Sequence, residues 1–129
     1  MVTATGRALA VAVLLAYQVT MPQPAILTHY GTGDGFLGQR HSASWQGLAC
    51  GLPPVVDVDH FGAAGPYDVP LCSRLLIIYG GKAVVVTIVD RMRDDVLFGL
   101  PHFDLWPAAA EALGIIEDGI VEAETAKIP

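Results

Sequence analysis

KAVVVTIVDRMRDDVLFGLPHFDLWPAAAEALG, residues 82–114, is the stretch on which the reading of this chain turns. It opens on an aliphatic, β-branched run, Lys82 to Val89, of the kind that suits a pleated and buried strand. The run ends on Asp90-Arg91. A turn-rich loop then leads to a second carboxylate, in the context His102-Phe103-Asp104-Leu105-Trp106. Pro107 to Leu113 reads as a short helix, because Pro suits the first helical position and Gly114 the left-handed stop. Two carboxylates therefore stand at the ends of rigid elements, beside a His and a Trp.

Upstream, Leu71 to Tyr79 is rich in Leu and Ile, and the Gly80-Gly81 pair after it is a hairpin signal that folds Lys82 to Val89 back onto it. Both strands are apolar on both faces, which predicts burial on two sides, as in a small closed barrel. Ile26 to Tyr30 reads as a strand running into a glycine-rich loop. That loop lacks the Gly-Lys-Ser/Thr ending of a phosphate cradle, so its glycines and Asp34 read as turn formers. Leu52 to Val58 becomes a short strand after two prolines, and Asp59 to Pro70 reads as a loop. His41 and Trp45 either face a ligand or pack. At the far end, Glu117-Asp118-Gly119 is a turn between apolar pieces that form one more hairpin or barrel strand, followed by a frayed terminus.

The whole chain of 129 residues has room for one domain of ordinary size. Its net charge of −6 argues against a nucleic-acid-binding surface. No cofactor fingerprint is present, and no Cys-x-x-Cys or His-x-x-x-His spacing supports a metal site. Met1 to about Ala25 differs from the rest: Arg7 is its only charged side chain, and Ala8 to Tyr17 is an unbroken apolar run. That pattern predicts an export signal, residues 1–25, or an uncleaved N-terminal anchor that would be the only membrane contact, ahead of a domain spanning 26–129. Export places the protein outside the cell or in its envelope. It also favours an oxidised pair between Cys50 and Cys72, the only cysteines.

With these pieces in place, the chain resembles the rare-lipoprotein-A-like and expansin-like double-psi β-barrel domains. Thr28-His29-Tyr30-Gly31 looks like the first strand of expansins. Gly80 to Arg91 resembles the glycine turn, valine-rich strand and terminal Asp-Arg of the group. His102-Phe103-Asp104-Leu105 is similar to the expansin His-Phe-Asp-Leu motif, and Pro107 to Gly114 to the helix that follows it. The resemblance runs from about Thr28 to Val121. It departs at Met92-Arg93, where rare-lipoprotein-A-like proteins have Gly-Pro, and at Trp106, where they have Ser.

The resemblance implies a mainly β fold, a small six-stranded double-psi β-barrel with one or two short helices, acting on or binding an extracellular polysaccharide. By motif position Asp104 matches the general acid of catalytic members, and Asp90 the strand-end Asp of expansins. His60 stands nearest the His that transglycosylase members carry. Thr28 and Tyr30 match polar groups beside the carboxylates, and His102 and Trp106 flank Asp104 as candidate substrate contacts. Breaking a glycosidic bond needs a proton donor for the leaving oxygen. Between Phe103 and Leu105-Trp106, Asp104 has an apolar sequence setting that favours the protonated acid by desolvation.

The leading expectation is therefore lytic-transglycosylase-like cleavage of peptidoglycan by Asp104, helped by Asp90 or His60. The alternative is a non-catalytic, expansin-like polysaccharide-binding or wall-loosening module, and a third is an interaction or inhibitor protein on the same barrel. Structural roles stay open beside the functional ones. Asp104 could cap the helix, Asp90 could pair with Arg91, Arg93 or loop backbone, and Trp106 could fill the core.

Overall fold

The computed structural model of the protein describes residues 21–30, 50–52, 59–92 and 94–129. These form β1 (Gln23–His29), β2 (Gly62–Gly65), β3 (Arg74–Tyr79), β4 (Lys82–Arg91), β5 (Val96–Leu97), β6 (Leu100–Leu105), helix α1 (Pro107–Leu113) and β7 (Val121–Lys127). Six strands run in the order β1-β7-β3-β4-β2-β6, and β6 pairs back with β1 to close a barrel without a free edge. β5 hangs from β6 as a short outer arm. The pairings of β1 with β6 and of β2 with β4 are parallel, and the others are antiparallel.

The period of two along each strand sends one set of side chains inward. Leu27, Leu75, Ile77, Val84, Val86, Ile88, Phe103 and Leu105 fill the barrel, and α1 adds Ala109, Ala110 and Leu113 to the same core. The β3–β4 hairpin is closed by Gly80 and Gly81, whose φ values of 58° and 77° suit a turn that needs the left-handed region twice. Helix α1 starts at Pro107 and ends at Gly114 in the left-handed conformation, as its sequence predicts. Among the described residues it is the one helix, and no helix there is long and apolar enough to cross a membrane.

Several boundaries differ from the sequence reading. β1 begins at Gln23 rather than Ile26, and Gln23 to Ala25 pair with β7. The terminus does not fray: Val121 to Lys127 is a full strand, with Val121, Ala123 and Thr125 turned inward. The largest correction is β2, Gly-Ala-Ala-Gly, inside the stretch read as a loop. It carries none of the bulky residues that signal a strand, because its surroundings have no space for them. A Cβ on Gly62 would lie 2.6 Å from the Trp106 ring, and one on Gly65 would lie 3.1 Å from Phe103. The proposed export signal before residue 21, Asp34, His41, Trp45 and the short strand at 53–58 lie outside the described residues.

Cys50 and Cys72 are bonded to each other, with Cα atoms 5.0 Å apart. Their bridge ties residues 50–52 to the start of β3. There Cys50 and Leu52 pack on a second, smaller cluster of Tyr30, Val89 and Trp106.

Candidate functional site

The parallel pairing of β1 with β6 sets Thr28 opposite Asp104. The antiparallel pairing of β2 with β6 sets Ala64 opposite the same Asp104. On its other side Ala64 lies opposite Asp90 of β4. Directly opposed residues project to one face of a sheet. Thr28, Asp104, Ala64 and Asp90 therefore form a row across four strands on the outside of the barrel. Two strand spacings place the Cα atoms of Asp104 and Asp90 about 10 Å apart.

Asp90 reaches this row only because of an irregularity. On β4, Val84, Val86 and Ile88 point into the barrel, so strict alternation would send Asp90 inward as well. The register between β2 and β4 shifts between Ala63 and Ala64: Ala63 pairs with Ile88, but Ala64 pairs with Asp90. Val89 is the extra residue of this bulge and is fully buried in the second cluster. A bulge re-aims the side chain after it, and here it turns a carboxylate from the core to the outer face. Asp90 then accepts a hydrogen bond from the Arg91 backbone N–H at 2.7 Å.

Asp104 is held by the Thr28 hydroxyl, with Oγ1 2.8 Å from Oδ1. The same Oγ1 lies 2.7 Å from His102 Nε2. His102 is largely buried, and its Nδ1 sits 3.0 Å from the carbonyl oxygen of Asp94 in the loop before β5. The His102 backbone N–H donates to the carbonyl of Asp95 in that loop. The loop between β4 and β5 thus supplies the seat of His102.

Tyr30 closes the row at the end of β1, where its backbone N–H donates to Leu105. Burial raises its phenol well above the usual tyrosine range, and the negative charges of Asp104 and then Asp90 raise it further. Both carboxylates are therefore close enough to act on one hydroxyl. A phenol whose ionisation is suppressed by folding contributes stability at neutral pH that is lost as pH rises past the ordinary tyrosine value of about 10. We expect wild-type stability to fall in that alkaline range. Tyr30→Phe should flatten the fall, and urea titrations between neutral pH and pH 11 check this. Equal alkaline losses in both proteins would refute it.

Arg91 does not pair with Asp90 through its guanidinium. Its Nη1 donates to the carbonyls of Pro66 and Tyr67, at 3.0 Å each, and to that of Val69. The guanidinium also lies over the Tyr67 ring, 5.7 Å from its centre. Arg91 is a fastener for the loop after β2, which explains an arginine at this strand end without a ligand.

The other sequence candidates divide. His60 lies on the exposed bend ahead of β2, outside the row that gathers Thr28, Asp104 and Asp90. Trp106 is 1% exposed, so it offers no face to a sugar ring. Its indole is pressed on Gly62, and its Nε1 is buried without a hydrogen-bond partner. The sequence neighbours of Asp104 part around it. Phe103 and Leu105 point into the barrel on the opposite side of β6, and Trp106 joins the second cluster. Among the described residues, no group of three His, Cys, Asp or Glu side chains is placed to hold a metal ion.

No protein-family model matches this chain, and no curated protein matches it in sequence. Solved structures do match in fold. The Streptomyces papain inhibitor is 21% identical with a TM-score of 0.58, over 84% of this chain and 94% of that one. A mutant expansin of Clavibacter michiganensis in complex with cellohexaose is 20% identical with a TM-score of 0.59. The apo form of that expansin is 21% identical with a TM-score of 0.58. This chain spans about half the length of the expansin, 51%, with 84% of its own residues. The closed six-stranded barrel is thus the double-psi β-barrel that the sequence resemblance implies.

Proposed function

We propose that this protein is an exported, non-catalytic polysaccharide-binding module of the expansin type. The observation that carries this reading is the outer-face row of Thr28, Asp104 and Asp90, with Tyr30 at its end. Carboxylates and hydroxyls spaced along one sheet face suit the repeated hydroxyls of a glycan, each carboxylate accepting from sugar O–H groups as a charge-assisted hydrogen bond. With two carboxylates in the row and a net charge of −6, a neutral glycan fits better than an anionic polymer. The disulfide is in keeping with an oxidising compartment outside the cytosol.

Peptidoglycan cleavage with Asp104 as general acid has less support. Phe103 and Leu105, the apolar neighbours expected to keep that carboxyl protonated, point into the barrel, away from it. His60 lies outside the row. The fold itself does not choose among these roles, since function belongs to the site.

The test uses purified protein and Asp104→Asn with cellohexaose in solution, insoluble cellulose and purified peptidoglycan. We expect the wild type to bind a neutral glucan and to release no soluble fragments. Asp104→Asn should bind about tenfold to a hundredfold more weakly, the loss of one hydrogen bond to a charged group. Anhydro-sugar ends appearing with the wild type only would establish cleavage and overturn the binding-only reading. Absence of binding to all three polymers would overturn it as well.

A further inference from the structure

Hydrogen-bond bookkeeping at Thr28 does not close with ordinary protonation states. A carbonyl oxygen only accepts, so His102 Nδ1, facing the Asp94 carbonyl at 3.0 Å, carries a hydrogen. A neutral imidazole then has a bare Nε2, which accepts. That Nε2 lies 2.7 Å from Thr28 Oγ1. The same Oγ1 lies 2.8 Å from Asp104 Oδ1, which in an ionised carboxylate also only accepts. One hydroxyl hydrogen cannot serve two acceptors, and the other contact would set lone pair against lone pair at hydrogen-bond distance.

One added proton removes the conflict in either of two ways. Placed on His102 Nε2, it is donated to Thr28 Oγ1, and Thr28 donates to the Asp104 carboxylate. Placed on Asp104, it is donated to Thr28 Oγ1, and Thr28 donates to Nε2. The two arrangements interconvert when the carboxyl proton passes to Oγ1 and the hydroxyl proton passes to Nε2, with no atom or charge left over. We infer that His102, Thr28 and Asp104 hold one proton in common, and that His102 is a positioning residue that sets, through Thr28, whether Asp104 meets its ligand as a charged carboxylate or as a neutral carboxyl group.

Among the described residues, Asp90 stands in the same row, and Asp94 and Asp95 lie in the loop whose carbonyls seat His102. Just past β1, Tyr30 feels both site carboxylates, and the neighbouring His29 sets both ring nitrogens against carbonyl oxygens, those of Tyr30 and Ile116, so that the same bookkeeping gives it two N–H groups and a positive charge one residue from Thr28. The neighbouring cation on β4, Arg91, is committed to the carbonyls of Pro66, Tyr67 and Val69. His102 is 7% exposed and Asp104 more open, so exchange with solvent or ligand runs through Asp104.

The consequence for ligands rests on the glycan-binding reading above, but the shared proton is a property of the free protein and is tested there. In isotope-labelled protein, the ring nitrogens of His102 and the carboxyl carbon of Asp104 should titrate with one common midpoint. Thr28→Val, which keeps the shape and removes the hydroxyl, should split them into two separate midpoints, whereas Thr28→Ser should keep them joined. A cooperative melting transition in every variant reports an intact fold. Should Thr28→Val fail to fold, His102→Gln replaces it and should shift the Asp104 midpoint. Independent midpoints in the wild type, or a Thr28→Val pair that titrates as the wild type does, would overturn the inference.

A second arm follows cellohexaose affinity with pH. The wild type should show a step at the common midpoint, and Thr28→Val should lose that step. If the wild type binds no glycan at any pH, the functional reading fails while the titration still decides the proton.

Discussion

Gly62→Val should destabilise the protein by about 3 kcal/mol or more, and Gly62→Ala by about 2 kcal/mol. A Cβ at this position falls 2.6 Å from both Cδ2 and Cε2 of Trp106, well inside van der Waals contact. Neither partner has room to give. The indole is 1% exposed, and the Trp106 backbone N–H donates to the Gly62 carbonyl at 2.9 Å, which pins the two chains at the point of contact. The indole N–H is already buried without a partner, a cost that the flat ring-on-glycine packing offsets. Pushing the ring away forfeits that packing and keeps the cost. For a domain of this size the Ala substitution should lower the melting temperature by several degrees per kcal/mol. A Gly62→Ala protein within 0.5 kcal/mol of the wild type, on the scale of ordinary surface changes, would show that the ring does not rest on this glycine.

Replacing both cysteines, as Cys50→Ser with Cys72→Ser, should cost about 3 kcal/mol in the chain-entropy account for the 22-residue separation of the bridge. More than a loop constraint is lost. Cys50 and Leu52 cover the cluster of Tyr30, Val89 and Trp106, so releasing the segment uncovers the outer face beside the candidate site. The double variant should therefore melt lower and also bind glycan more weakly, with Asp104 unaltered. Equal melting temperatures for the oxidised protein and its reduced form would sink this expectation.

Much of the fold could be read before any coordinates. The glycine hairpin, the buried valine strand, the strand at Thr28 and the helix from Pro107 to Gly114 each carry a local signal, because their periodicity, turn chemistry and caps are properties of a few adjacent residues. Cys50 and Cys72 needed no geometry either, being the only pair available. Asp104, Asp90, Thr28 and Tyr30 were recognisable as site candidates because their motifs are short and continuous.

What failed shares one physical cause. β2 reads as a loop because Gly-Ala-Ala-Gly has no intrinsic preference for a strand, and only the ring of Trp106 and the side chain of Phe103 make small residues necessary there. Trp106 looked like a sugar platform because sequence adjacency to Asp104 says nothing about the packing of Tyr30 and Val89 that buries it. Alternation likewise sends Phe103 and Leu105 into the barrel, on the other side of β6 from Asp104. No residue in Val86 to Arg91 announces the bulge at Val89, which depends on how β4 registers with β2 and which brings Asp90 to the outer face.

The amino-acid sequence alone thus determined the strand and helix of residues 82–114 and the barrel class, and singled out the two carboxylates as candidates, all from short-range patterns. Only the tertiary structure decided that the carboxylates share a face, that Trp106 is core, and that Asp104 is tied through Thr28 to His102. Those facts depend on register between strands distant in the chain, where a shift of one residue exchanges the inside of the barrel for the outside.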